Sequence, residues 1–229
     1  MQTVLTPEHK TGIFIQELKN RFLCEVEIDG ESTVCYVPSS CHLSNFLDLK
    51  GKSVLLAPTR SKNARTQFAL FAIPYKKNYI LLNTSMANRA VADSIKGRRF
   101  SFLGRRGTIY TEHYVGGYKS DIYIQDTNTI IEVKSVLSTE KCALFPTVFS
   151  ERALKQLEKL RDLLSLGYRV HYSVISLNPY VSSIYFVSDA QFTPLLKSCI
   201  DLGMTISAFS CRIDDNRVYI DKRLQIILP

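Results

Sequence analysis

Between Ser120 and Val136 the chain reads SDIYIQDTNTIIEVKSV, two apolar runs around the polar tetrad Asp126-Thr127-Asn128-Thr129. This is the pattern of a β-hairpin. Side chains alternate along a strand, so Glu132 and Lys134 point to one face and Ile131 and Val133 to the other. A two-residue turn centred on Asp126-Thr127 sets Asp121 opposite Glu132, and a four-residue loop sets it opposite Lys134. The two registers have the same parity, so either one gathers Asp121, Glu132 and Lys134 on one face. Two carboxylates and an ammonium suit metal-assisted phosphodiester hydrolysis. Asp121 and Glu132 offer hard oxygens to Mg²⁺ or Mn²⁺, which lowers the pKa of a bound water. Lys134 positions that water or stabilises charge growing on the phosphate. The plain alternative is an exposed cross-strand ion pair worth about 0–1 kcal/mol.

Other groups carry weaker signals. Asp93 precedes the hairpin on a candidate helix, as a further metal ligand or as a surface acid near Lys96. Lys155 and Gln156 follow it on another helix, where they reach phosphate or simply line a polar face. The four histidines form no motif, and Gly51-Lys52-Ser53 lacks the upstream glycine of a P-loop. Six scattered cysteines contain no C-x-x-C pair, which points to reduced thiols rather than a disulfide framework.

The surroundings of these groups are basic. The chain has 229 residues and a net charge of +8, too modest an excess to name a partner. Its distribution says more. Leu49 to Thr111 holds 13 bases and one acid, Asp93, so this stretch nets +12 and the rest nets −4. A surface for a phosphate backbone should lack acids as well as carry bases. Lys50, Lys52, Arg60, Lys62 and Arg65 are the candidate backbone contacts, with DNA or RNA as the expected partner. No apolar run approaches a membrane span. The opening MQTVLTPEHKTGIFIQ lacks the basic and apolar regions of a signal peptide, so the expected address is the cytoplasm.

The elements that must hold these groups divide in two. Residues 13–37 read as a hairpin around Asp29-Gly30, and SVLLAP, TQFALFAI and NYILLN are further strands. Five or six short strands in about 80 residues fit an OB-like barrel, and an SH3-like barrel nearly as well. After this the chain alternates. SMANRAVADSIK is a helix with Ala87, Ala90, Val91 and Ile95 on one stripe, and three β segments follow. SERALKQLEKLRDLLSLG is the clearest helix, capped by Ser150, stopped by Gly167 and buried through Leu154, Leu157, Leu160 and Leu164. Further strands and a helix over about 190–202 complete a mixed α/β domain. The expected organisation is a barrel over 1–84 and an α/β domain over 85–229, packed together.

The order of these segments resembles the sugar fermentation stimulation protein A (SfsA) family. The likeness runs through KNRFLCEVEIDGE, NTSMANRAVADSI, Ser120-Asp121, IEVKSV and FPTVFSERALKQLEKL. It implies an N-terminal OB-like β-barrel and a C-terminal α/β domain similar to PD-(D/E)xK nucleases. It also implies DNA binding, nuclease activity on DNA or RNA, and a link to sugar metabolism. By position, Asp121, Glu132 and Lys134 match the nuclease motif, Asp93 looks like the acid of the preceding helix, and Arg152 joins Lys155 and Gln156 as a nucleic-acid contact. The family's arginine ahead of the motif aspartate is Lys119 here. A non-catalytic DNA-binding regulator with the same fold is the alternative.

Overall fold

A computed structural model describes residues 9–39, 42–59, 63–148, 150–214 and 217–229. The first half is a barrel built from β1 (Lys10–Glu17), β2 (Leu23–Ile28), β3 (Glu31–Tyr36), β4 (Ser53–Pro58) and β5 (Phe68–Tyr75), extended by β6 (Asn78–Leu81). The order β3-β2-β1-β4-β5-β6 closes on itself where β3 pairs in parallel with β5 at Tyr36↔Ala69. That parallel closure selects the OB arrangement over the SH3-like one. Asp29 and Gly30 turn the β2–β3 hairpin with φ of 53° and 84°, the left-handed pair a tight hairpin needs. Phe14, Val26, Val37, Leu56, Leu70 and Ile80 fill the barrel.

The second half opens on α1 (Thr84–Ser94), then β7 (Ile109–Val115), β8 (Tyr118–Ile124), β9 (Thr129–Val136) and β10 (Cys142–Phe145). α2 (Glu151–Ser165), β11 (Arg169–Ser176), β12 (Ser183–Phe186), α3 (Phe192–Asp201), β13 (Thr205–Asp214), β14 (Arg217–Arg223) and β15 (Gln225–Ile227) follow. Six strands form a mixed sheet, β14-β13-β11-β9-β8-β7, and β10-β12-β15 form a small parallel one. β9, β11 and β13 run parallel at the centre, and their residues are buried almost throughout.

α2 and α3 cover one face of the large sheet, with Leu157, Leu160, Leu163, Leu196 and Cys199 packed on Val170, Tyr172 and Val174. Leu154 and Leu164 lie half-buried at the margins of that seam, which centres on Leu163 instead. α1 covers the other face. Its buried Met86, Ala87, Ala90 and Val91 share one core with Ile131 and Val133 of the sheet and with Phe71, Ala72 and Leu81 of the barrel. Backbone continues the junction: Leu81 N–H donates to the Leu177 carbonyl at 3.0 Å, and Thr84 Oγ1 to the Pro38 carbonyl at 3.0 Å. Among the described residues, no helix is long and apolar enough to cross a membrane.

Candidate active site in the cleft between barrel and sheet

The β8–β9 hairpin turns through residues 125–128, with Asn128 left-handed at φ 48°. Pairing runs Ile124↔Thr129, Tyr123↔Ile130, Ile122↔Ile131 and ends there. The next rung of this register sets Asp121 against Glu132. Instead of a ladder bond, Val133 N–H donates to Asp121 Oδ2 at 2.8 Å. The strands part at this point, and the aspartate carboxylate occupies the gap. Asp121 Oδ1 accepts from Asn88 Nδ2 of α1 at 3.2 Å.

Glu132 is 2% exposed, and both of its oxygens are engaged. Tyr118 Oη donates to Oε2 at 2.5 Å, and Lys134 Nζ lies 2.6 Å from Oε1. The same ammonium donates to Gln156 Oε1 of α2 at 2.6 Å. On the other side of β9, parallel pairing sets Tyr172 of β11 beside Glu132. The Tyr172 hydroxyl is buried and makes no hydrogen bond.

Burial, then the facing Glu132 charge, push Asp121 up to about 6, against the opposing pull of the Val133 amide and Lys134. Burial and the Glu132 charge hold the Tyr118 phenol far above its ordinary range, and Tyr172 likewise. Both tyrosines are therefore neutral at any physiological pH, and Tyr118 is the one that donates to Glu132. Two carboxylates that repel one another inside a half-dry pocket are a ready place for a hard divalent cation. The donor set fits Mg²⁺ or Mn²⁺ held by Asp121 and Glu132. Among the described residues, no group of three or more His, Cys, Asp or Glu gathers to hold an ion. Water, backbone and substrate oxygens would therefore complete the shell, as Mg²⁺ usually requires.

These groups form the floor of a cleft of about 720 Å³ between the two halves of the molecule. Arg21, Leu43 and Phe46 of the barrel make one wall, and Pro146, Val148 and Arg152 the other. The barrel wall is fixed from below: Glu17 accepts Leu43 N–H at 2.7 Å and Ser44 N–H at 3.1 Å, holding the short 3₁₀ turn in place. The α2 wall begins at Ser150, whose Oγ caps the helix by accepting Ala153 N–H at 3.2 Å.

The structure brings together Asp121, Glu132, Lys134 and Gln156, with Arg152 at the rim. Lys155 lies in an adjoining groove with Tyr118 and Lys159. Asp93 does not join the cluster. It is exposed on α1, five residues beyond Asn88, which puts it about 7.5 Å along the helix axis and well round its circumference. Asn88 takes the place in α1 expected of Asp93. Lys50, Lys52 and Arg65 are exposed but do not line the cleft, and Arg60 and Lys62 lie outside the described residues. Lys119 faces away as well, paired with Glu112 at 2.8 Å. Sequence reasoning missed Arg21, Asn88, Tyr118 and Tyr172. Of these Tyr118 had a local signal, since it opens the strand that carries Asp121, and Asn88 lay within the family-like run NTSMANRAVADSI without a role assigned to it.

Comparison with known proteins bears on this architecture. A family model described as the SfsA N-terminal OB domain matches residues 18–82, and one described as the sugar fermentation stimulation protein RE domain matches residues 85–217. The chain belongs to the SfsA family. A sugar fermentation stimulation protein homolog from Caldanaerobacter subterraneus is 33% identical, over 95% of this chain and 96% of the relative. Another from Ruminiclostridium cellulolyticum is 27% identical, over 96% and 97%. The solved structure of Pyrococcus furiosus SfsA in complex with Ca²⁺ superposes with a TM-score of 0.85 at 21% identity, covering 99% of both chains. That likeness is of fold, and it extends to the SfsA arrangement of barrel and sheet as a whole.

Proposed function

We propose that this member of the SfsA family is a metal-dependent phosphodiesterase acting on DNA or RNA, with a PD-(D/E)xK-type site in its α/β domain. The observation that carries the reading is the pairing of Asp121 with Glu132 at a point where two strands part, with Lys134 held 2.6 Å from the glutamate. Asp121 and Glu132 would hold Mg²⁺ or Mn²⁺, and the solved family structure contains Ca²⁺, another cation of oxygen-rich sites. When bound, the ion supplies Lewis acidity to the phosphodiester and a water of lowered pKa.

The chain's own residues do the rest. Tyr118 fixes the rotamer of Glu132, while Asn88 and the Val133 amide fix Asp121. Gln156 aims the Lys134 ammonium, which faces the charge that develops on the phosphate. Arg21 and Arg152 bring cations to the two rims, where flanking phosphates pass. The five described cysteines are free, which suits action in the reducing cytoplasm.

A fluorescence-quenched oligonucleotide assay with Mg²⁺, with Mn²⁺ and with EDTA tests the reading. Asp121→Ala is expected to reduce cleavage to the EDTA background while oligonucleotide binding persists. Undiminished cleavage by that variant removes the site. The relatives' name, sugar fermentation stimulation protein homolog, points to sugar metabolism, and the second reading is a DNA-binding regulator of it without turnover. It predicts binding at any Mg²⁺ or Mn²⁺ concentration with no cleavage.

A further inference from the structure

The depth of the cleft bears on which nucleic acid it admits. Glu132 is 2% exposed and Asp121 partly buried, and both line the cleft between the two halves, so a reacting phosphate reaches them through that cleft. Two exposed arginines line the cleft, Arg21 from the barrel and Arg152 from α2. The lining also has an apolar part, which includes the half-buried ring of Phe46 from the barrel and the exposed Val148 from the α/β half. The space between, about 720 Å³, is within the ~300–1,000 Å³ of sites that enclose a small molecule, nucleotide-sized rather than duplex-sized.

A duplex carries its phosphates on the outside of a stiff cylinder. Such a surface lies well on a flat or shallow groove. A stiff cylinder fits less well than a flexible strand into a cleft of nucleotide size. An unpaired strand fits because its backbone bends freely and its bases are released to find new partners. Apolar and aromatic walls are what those base faces stack on, whatever their sequence.

We infer that the cleft takes single-stranded nucleic acid: one phosphate descends to Asp121 and Glu132, an adjacent base packs on Phe46, and Arg21 and Arg152 hold the flanking phosphates. This inference rests on the phosphodiesterase reading for the identity of the floor, and it adds the substrate class.

The test uses the full chain and three labelled probes of one sequence: single-stranded DNA, single-stranded RNA and a closed hairpin duplex. Binding is read by fluorescence anisotropy in Ca²⁺ at fixed ionic strength, and cleavage in Mg²⁺ and Mn²⁺. The expected result is at least about ten-fold tighter binding of a single strand, DNA or RNA, than of the duplex. Phe46→Leu keeps the wall apolar and removes the stacking face, and Arg21→Ala changes an exposed side chain that packing does not require. Each should weaken single-strand binding by about ten-fold; Arg21→Ala should leave the thermal melt unchanged, and Phe46→Leu, whose ring also packs on the barrel core, should keep a single cooperative melt. Duplex binding as tight as single-strand binding overturns the inference, as does unchanged affinity in both variants. Single strands bound with the expected preference but never cut support the inference and sink the phosphodiesterase reading. Duplex cut as fast as single strands does the reverse.

Discussion

Tyr118 and Tyr172 flank the same carboxylate, and only the first donates to it. Removing a donor from a made bond to a buried charge costs about 1.5–3 kcal/mol, whereas removing an idle buried hydroxyl relieves a desolvation penalty. Tyr118→Phe should therefore lower the urea midpoint of the metal-free protein, and Tyr172→Phe should leave it unchanged or raise it. A marked loss in Tyr172→Phe would mean that its hydroxyl has a partner. Asp121 offers a pH test. Its carboxyl holds a proton more tightly in the folded chain, up to about 6, than in the unfolded one. Its favourable contribution is therefore full below pH 4 and is lost as pH rises through 6. Asp121→Asn should gain about 1–2 kcal/mol over the parent at pH 7.5 in EDTA, discounted for partial exposure, or roughly 3–6 °C in melting temperature. The gain should vanish near pH 3.5, and a constant gain at both pH values would refute it.

At the scale of elements, α2 is set against the sheet by a close approach. Gly116 joins β7 to β8 at φ +56°, and a Cβ there would come 2.4 Å from Leu163 Cδ2. Gly116→Ala should lose about 1–3 kcal/mol in denaturant titration, from the left-handed backbone and the repacking of the buried Leu163 side chain together. Because α2 carries Gln156 and Arg152, oligonucleotide affinity should fall too. Unchanged stability would show that the turn has another conformation available. The hairpin that carries the site was legible before the fold, because alternation alone puts Asp121, Glu132 and Lys134 on one face. Its register was not, since a loop of four residues at 125–128 keeps the pairing expected of a two-residue turn. α1 shows why Asp93 misled. Chemistry favours an acid, but helical phase decides, and Asn88 is the residue turned toward β8. Arg21 and Tyr172 come from segments about 100 residues or about 40 residues distant from the motif, and no local pattern announces such a meeting.

For the whole molecule, the barrel and the sheet share a core. Phe71, Ala72 and Leu81 pack with Ala87, Val91 and Ile131 across the junction, and Tyr180 Oη accepts from Lys77 N–H at 3.1 Å and Asn78 Nδ2 at 3.2 Å. Residues 1–84 expressed alone would expose that apolar face. The fragment is expected to show little cooperative melting and to bind oligonucleotide far more weakly than the full chain. The full chain should unfold in one transition, with near- and far-ultraviolet circular dichroism coincident. Two resolved transitions, or a fragment that binds as well as the whole, would contradict this.

That common interior also constrains inheritance. OB barrels in many proteins are carried as separable beads, free to be gained, lost or exchanged between genes. Here a gene that lost either half would leave the other with an uncovered core and a cleft lacking one wall. The two halves are thus bound to descend as a pair, and substitutions at Leu81 or Phe71 answer to changes in α1 as much as to their own barrel.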